Sequence, residues 1–134
     1  MIGIDTNVLV RYLVRDDEAQ FQIAHALIAD CITAGEPVLI SLLVLLETEW
    51  VLRSRYQIPK HEVTAVFTGL LEARETVFED EGSLEEALHT WKDNSADFAD
   101  CLIVAKSRRL GCSSLMTFDA KAGVLPGAKL LSPH

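Results

Sequence analysis

Short apolar runs alternate with longer amphipathic segments along most of the chain. The runs are too short for helices and predict β-strands at residues 1–4, 37–40, 76–78, 114–117 and 129–131. Apolar residues at helical spacing predict helices over residues 8–14, 17–31, 42–56, 59–71, 84–91 and 96–110. This alternation is typical of an α/β fold, and it predicts a three-layer α/β/α sandwich with a mostly parallel central sheet.

Several predicted helices carry recognisable end signals. Asp17, Ser41 and Ser83 are candidate N-caps, and Ser83 is followed three residues later by a glutamate, as in a capping box. Gly35 and Gly111 lie where the second and last long helices should end. The chain shows no repeat, linker or low-complexity tract, so we expect a single domain over residues 1–134.

Composition narrows the class of protein. No apolar stretch approaches the roughly 20 residues of a membrane span, and the N-terminus lacks the pattern of a signal peptide, which predicts a cytoplasmic protein. Cys31, Cys101 and Cys112 form no CxxC pair and are interpreted as reduced core residues rather than as disulfides or zinc ligands. The formal net charge of −8 excludes broad electrostatic binding of nucleic acid. It leaves room for a nuclease whose acidic residues bind a divalent metal.

The first acid of interest is Asp5, which ends the first predicted strand. We expect that strand to be central and buried, with Thr6 and Asn7 capping a helix that starts at Val8. Asp5 would then lie at the carboxyl edge of the sheet, where α/β proteins bind ligands. Two interpretations stay open: Asp5 stabilises the strand-to-helix turn, or it helps to bind a cation.

A second acid interrupts the apolar helix of residues 42–56. Glu47 and Glu49 point about 200° apart on that helix, so only one of them can easily face a given site. Glu47 lies nearer the start of the helix, on the side of the first strand. Glu49 is placed for a salt bridge to Arg53 at i+4, although Glu47 could also be half of a salt bridge.

Three further acids lie near the last long helix. Asp97 and Asp100, at i and i+3, share one face of its first turn, and Asp119 ends the following strand. Separately, Asp97 could be an N-cap and Asp119 a turn residue. Jointly, carboxylates on such apolar helices would be buried and would repel each other unless Mg²⁺ or Mn²⁺ neutralised them. Oxygen ligands select hard cations, and such a site suits phosphodiester hydrolysis.

The chain resembles the PIN domain, and within it the VapC-type toxins of toxin–antitoxin pairs. The matching stretches are Ile4-Asp5-Thr6-Asn7-Val8-Leu9, Ile40-Ser41-Leu42 with Glu47, Asp97-Phe98-Ala99-Asp100-Cys101-Leu102-Ile103 and Thr117-Phe118-Asp119. They cover essentially the whole chain in order. Glu49 departs from the pattern, because this group more often carries an apolar residue there.

The resemblance implies a Mg²⁺-dependent ribonuclease, with Mn²⁺ as a possible substitute, that is neutralised by a small antitoxin whose tail covers the active site. It implies a catalytic set of Asp5, Glu47, Asp100 and Asp119. Asp5 and Asp100 would be the foremost metal ligands, joined by Asp119 and, as a possible fifth acid, Asp97. Thr6 and Asn7 would support Asp5 and contact the substrate.

Basic residues near these elements could touch RNA, although solvated surface charge also explains most of them. They are Arg11, Arg15, Arg53, Arg55 and Lys121, of which Arg11 and Lys121 are predicted to bind the substrate. The apolar helices of residues 21–31 and 63–71 have more hydrophobic surface than one small sheet covers. We expect the remainder to form a homodimer face and an antitoxin groove.

Two other functions remain open. The chain could be a catalytically inactive PIN-like protein-interaction module, although the presence of all four acids speaks against a degenerate site. It could also be a phosphoryl-transfer or receiver domain, which needs a phosphate-contacting lysine near the last strands. Lys121 and Lys129 are the candidates, and neither is well placed by pattern.

Overall fold

The computed structural model describes residues 1–132 of the chain. It divides into two compact units, Met1–Glu79 and Asp80–His134. The single domain expected over residues 1–134 stays a prediction, and its last two residues, Pro133 and His134, lie outside the described residues.

The first unit alternates strands and helices. Its elements in chain order are β1 (Ile2–Gly3), α1 (Thr6–Leu13), α2 (Glu18–Ala34), β2 (Val38–Ile40), α3 (Leu42–Ser54), α4 (Lys60–Glu72) and β3 (Thr76–Phe78). The strands pair in the order β1-β2-β3, and both pairings are parallel, as predicted. Because β2 separates the other two strands, β1 is not the central strand of this sheet, and its residues are exposed or half-buried. The expectation of a central, buried first strand is wrong.

Local side-chain chemistry sets the helix boundaries of this unit. The Asp17 carboxylate accepts a hydrogen bond from the Gln20 amide at 3.1 Å, and Ser41 Oγ accepts one from the Val44 amide at 3.2 Å. Gly35 ends α2 in the left-handed conformation, at φ +66°, which costs glycine little. These three predicted caps are confirmed.

The core of the first unit is built from one face of each helix and the inner residues of β2. Leu45 of α3 and both Val63 and Phe67 of α4 are fully buried. Most of the apolar face of α4 is therefore buried in the core, while Val66 and Leu71 are half-buried. Thr48 of α3 is also fully buried, and its hydroxyl has no hydrogen-bond partner within residues 1–132.

The second unit contains a pair of packed helices and a small parallel sheet. Its elements in chain order are α5 (Glu81–Lys92), α6 (Phe98–Arg109), β4 (Leu115–Thr117), α7 (Ala120–Gly123) and β5 (Ala128–Leu130). Trp91 of α5 meets Phe98 of α6 edge-on, with ring centroids 5.1 Å apart. β4 pairs in parallel with β5. Gly111 ends the α6 region at φ +94°, as predicted.

Three helix starts differ from the prediction. α1 begins at Thr6 rather than Val8, because Asp5 itself is the N-cap and accepts from the Val8 amide at 3.1 Å. α5 begins before Ser83, because Asp80 is the cap and accepts from both the Ser83 amide and its hydroxyl. The short helix α7, capped by Asp119, was not predicted.

Two compositional expectations can be compared with the structure. All three cysteines are free, and Cys31 and Cys101 are buried, as predicted. Cys112 is exposed, so the expectation that it is a core residue is wrong. Within residues 1–132, no helix combines the length and the apolar character that a membrane crossing requires.

Candidate metal centre

Three predicted acids line one cavity in the second unit. Asp97, Asp100 and Asp119 lie around a space of about 340 Å³, together with Ala120 and Lys121. The start of α6 supplies Asp97 and Asp100, and the β4–α7 connection supplies Asp119. The structure thus brings these three carboxylates to the lining of one cavity.

Main-chain hydrogen bonds fix Asp119. Its Oδ1 accepts from the Lys121 amide at 2.8 Å and from the Ala122 amide at 2.9 Å, as the N-cap of α7. The Asp119 amide donates to Thr117 Oγ1 at 3.0 Å. The carboxylate is thus held by the backbone, and its second oxygen is the one left to face a ligand.

Asp97 occupies the N-cap position of α6, yet its side chain makes no capping hydrogen bond. The predicted N-cap position of Asp97 is confirmed, but its side chain does not stabilise the helix start by a hydrogen bond. Its carboxylate is exposed and lines the cavity instead. Asp100 is half-buried one turn later, on the same face of α6.

The electrostatics of this cavity favour a cation. Burial raises the pKa of Asp100 above its ordinary value, and the negative charges of Asp119 and Asp97 raise it further. Lys121 contributes the only basic side chain among the five residues lining this described cavity. A cation placed among the carboxylates would remove their repulsion, whereas an isolated phosphate would add to it.

Asp5 lies in the first unit and lines a different cavity. This space of about 350 Å³ is bounded by residues of α1 and α2 and by Asp5 before them. The predicted substrate residues Asn7 and Arg11 line it too, while Thr6 is buried and does not. Asp5 is exposed, although the strand that it ends was expected to be buried.

The two glutamates of α3 have different environments. Glu47 is exposed and lines neither cavity, so it too departs from the expectation of a buried carboxylate. Glu49 is buried, and its carboxylate lies 3.6 Å from Arg53 Nη1. The predicted salt bridge between Glu49 and Arg53 is confirmed, which leaves Glu47 as the glutamate of α3 that solvent and ligands can reach.

Comparison with known protein families decides the classification. The model of the PIN domain matches residues 2–126. The chain belongs to the PIN domain family. A search of curated proteins finds no match.

Membership of the PIN family confirms the α/β/α fold class and gives a general function. PIN domains are generally metal-dependent nucleases, and those that cleave nucleic acid typically use divalent metals. The residues of the second unit fit such an ion, because the donor set is entirely carboxylate oxygen. Within residues 1–132, no group of three His, Cys, Asp or Glu residues is close enough to hold a metal by itself.

Sequence reasoning missed two polar clusters of this PIN domain. In the first unit, Arg11 Nη1 donates to Asp16 at 3.1 Å and to the Tyr56 hydroxyl at 3.0 Å. In the second, the largely buried Asp80 carboxylate lies 2.7 Å from Lys106 Nζ and 3.2 Å from Arg109 Nε. Both clusters join residues far apart in the chain, so local spacing carried no signal for them.

Proposed function

We propose that this PIN domain is a cytoplasmic, divalent-metal-dependent endoribonuclease, and that it acts as the toxin of a VapC-type toxin–antitoxin pair. The observation that carries the nuclease proposal is the cavity in which Asp97, Asp100 and Asp119 repel one another. The toxin assignment rests on the four sequence motifs that resemble VapC-type proteins. RNA is proposed as the substrate because PIN nucleases act on nucleic acid.

In this proposal, Asp100 and Asp119 hold Mg²⁺ together with Asp97, and Asp5 and Glu47 are further catalytic acids of the enzyme. The bound metal would supply charge for the phosphate and acidity for a water molecule. Hydrogen bonds from two main-chain amides orient the Asp119 carboxylate, so its side chain needs to move little to bind a cation. Lys121 is placed to contact a phosphate oxygen, since it lines the same cavity as the three acids.

Cleavage of RNA by the purified protein tests the proposal. We expect hydrolysis of single-stranded RNA with Mg²⁺ or Mn²⁺, and none with EDTA. Asp100→Asn should abolish cleavage while the protein stays folded. Asp93→Asn is the matched control, because Asp93 is an exposed acid of the same unit that does not line the cavity.

Calorimetry with Mn²⁺ separates this function from that of an inactive interaction module. A nuclease should bind Mn²⁺ in the wild type and in Asp93→Asn, and much more weakly in Asp100→Asn. A chain that binds no Mn²⁺ and cleaves no RNA would contradict the proposal.

For the antitoxin, we propose a groove on the α1–α2 side of the first unit. Ile23 and Leu27 of α2 are 69% and 36% exposed, and both line the Asp5 cavity with Val8 and Ala24. Exposed apolar residues at i and i+4 suit an amphipathic helix. Co-expression with the antitoxin should restore growth for the wild type, and Ile23→Glu should prevent this rescue without removing toxicity.

We also propose that the protein forms a homodimer. Trp50 is 68% exposed and Leu43 is 78% exposed on α3, which leaves large apolar surface uncovered in a single chain. Sedimentation at micromolar concentration should show a dimer. A stable monomer under those conditions would count against this part of the proposal.

A further inference from the structure

Arg11, which lines the Asp5 cavity, is held by three other side chains. Its Nε donates to Gln20 Oε1 at 2.6 Å, and its Nη1 donates to Asp16 Oδ1 at 3.1 Å and to the Tyr56 hydroxyl at 3.0 Å. Tyr56 in turn donates to Asp16 Oδ2 at 2.7 Å. These contacts connect α1 with α2 and with the end of α3, so the guanidinium has a fixed orientation.

The donors of Arg11 can be accounted for one by one. A guanidinium has five N–H groups, and the hydrogen bonds above engage the one on Nε and the two on Nη1. The two N–H groups on Nη2 have no hydrogen-bond partner among residues 1–132. The side chain is 25% exposed, so an incoming ligand can reach it. Arg11 therefore offers a pair of donors whose position is set before the ligand arrives.

The surrounding charges keep this cluster ionised. The hydrogen bond from Tyr56 and the charge of Arg11 hold the pKa of Asp16 below its ordinary value, although burial acts in the opposite direction. The hydrogen bond with Tyr56 and the charge of Asp16 raise the pKa of Arg11. Because Tyr56 contacts both partners, losing its hydroxyl loosens the guanidinium without changing any charge.

We propose that Tyr56, Asp16 and Gln20 are positioning residues that hold Arg11 as a fixed fork for a phosphate of the RNA. This inference rests on the proposed ribonuclease function and adds residues to it. The two N–H groups of Nη2 can donate to phosphate oxygens, and a held guanidinium loses less entropy on binding than a free one. The formal charge of −8 makes such a local contact necessary, because the chain as a whole repels RNA.

The test measures binding of a random pool of single-stranded RNA to proteins carrying Asp100→Asn, which prevents cleavage. We expect Arg11→Gln to raise the Kd roughly tenfold and to reduce the salt dependence of binding by about one phosphate contact. Tyr56→Phe should raise the Kd roughly two- to tenfold, because Arg11 and Asp16 each lose their hydrogen bond with the Tyr56 hydroxyl. Arg11→Lys should recover only part of the affinity, because lysine lacks the fork. Arg74→Gln, which removes an exposed charge of the same unit, is the matched control.

Cleavage kinetics of the otherwise unaltered chain provide the second measurement. Tyr56→Phe should raise KM and leave kcat nearly unchanged, since the fork binds substrate and does no chemistry. If Arg11→Gln and Tyr56→Phe lower the Tm but match Arg74→Gln in RNA affinity and KM, the cluster is only structural and the proposal is overturned. If the Arg11→Gln variant binds RNA normally but is no longer bound by the antitoxin, Arg11 contacts a protein partner rather than RNA, and the proposal is again overturned.

The two proposals can fail separately. If the wild type shows no metal-dependent cleavage but the Arg11→Gln variant loses RNA affinity, the ribonuclease proposal is refuted and the role proposed for Arg11 is supported. If the Arg11→Gln and Arg74→Gln variants cleave RNA equally well, the ribonuclease proposal is supported and the role proposed for Arg11 is refuted.

Discussion

Replacing Asp80 by Asn should destabilise the second unit, because Asp80 joins α5 to α6 through charge. The carboxylate caps α5 through the Ser83 amide at 3.0 Å, and its side chain is only 9% exposed. Lys106 and Arg109 of α6 lie 2.7 and 3.2 Å away. Asn retains the size and the capping oxygen of Asp, so Asp80→Asn removes the ion pairs and the hydrogen bond that the second carboxylate oxygen accepts from the Ser83 hydroxyl.

The expected cost follows from the exposure of the partners. Removing one member of a fully buried ion pair costs about 3–5 kcal/mol, because the other charge stays buried. Here Lys106 and Arg109 are 36% and 51% exposed, so both can regain water. We therefore expect a loss of about 1–3 kcal/mol in the free energy of unfolding. For a chain of this length, the Tm should fall by roughly 3–10 °C.

The pH dependence follows from the direction of the Asp80 pKa shift. Burial raises this pKa, but hydrogen bonds from Lys106 and Ser83 and the charge of Lys106 lower it more, so it lies far below its ordinary value of 3.8. A carboxyl with a lowered folded-state pKa binds fewer protons when folded than when unfolded. Its stabilising effect is therefore complete above that ordinary value and is lost as the pH falls below it toward the folded-state pKa.

Urea denaturation at several pH values measures this effect. The wild type and Asp80→Asn should differ most between pH 6 and pH 8 and converge as the solution is acidified below about pH 4. Glu18→Gln is the control, because it breaks the Arg15–Glu18 pair, whose side chains are 60% and 61% exposed. We expect no measurable change from Glu18→Gln. Equal stability of Asp80→Asn and wild type at pH 7 would refute the reasoning.

Three further predictions concern the acids of the proposed site. The Asp100→Asn variant should bind Mn²⁺ at least tenfold more weakly than the wild type. The Tm of the metal-free variant should be unchanged or higher, since the substitution relieves repulsion from Asp97 and Asp119. A clear fall in that Tm would contradict this prediction. Glu47→Gln should lower the rate of cleavage without changing the Tm. Glu49→Gln should lower the Tm and leave the activity per folded molecule unchanged, because Glu49 is buried against Arg53. The reverse pattern would show that the two glutamates have exchanged roles. Asp5→Asn and Asp5→Ala should both lose activity, but only Asp5→Ala should lose about 1 kcal/mol of stability with the α1 cap, a difference that thermal melts would detect.

Much of the fold could be predicted because apolar periodicity and caps are local signals. Ser41 and Asp17 cap their helices, and Gly35 ends α2, as their spacing indicates. The position of β1 at the edge of its sheet could not be predicted, since strand order depends on which strands pair. The cap of α5 was misplaced because Asp80 and Ser83 both have capping side chains, and only the three-dimensional contacts show which one accepts.

The candidate site was predicted in part for the same physical reason. Asp97 and Asp100 share a helix face by spacing alone, and the strand-end position of Asp119 brings it to their cavity. Burial was overestimated for Asp5 and Glu47, because an apolar stretch does not reveal which side of a helix faces water. The Arg11–Tyr56 contact joins residues 45 positions apart, a distance at which no periodic pattern carries information.

The hydrogen bonds of Asp5 and Asp119 to helix amides have a practical consequence for protein engineering. Each of these carboxylates is oriented by the path of the main chain rather than by neighbouring side chains. Exposed residues around them, such as Phe118, can therefore be randomised in a search for altered RNA preference while the two acids keep their directions. A library built on this chain would vary recognition and chemistry as largely independent properties.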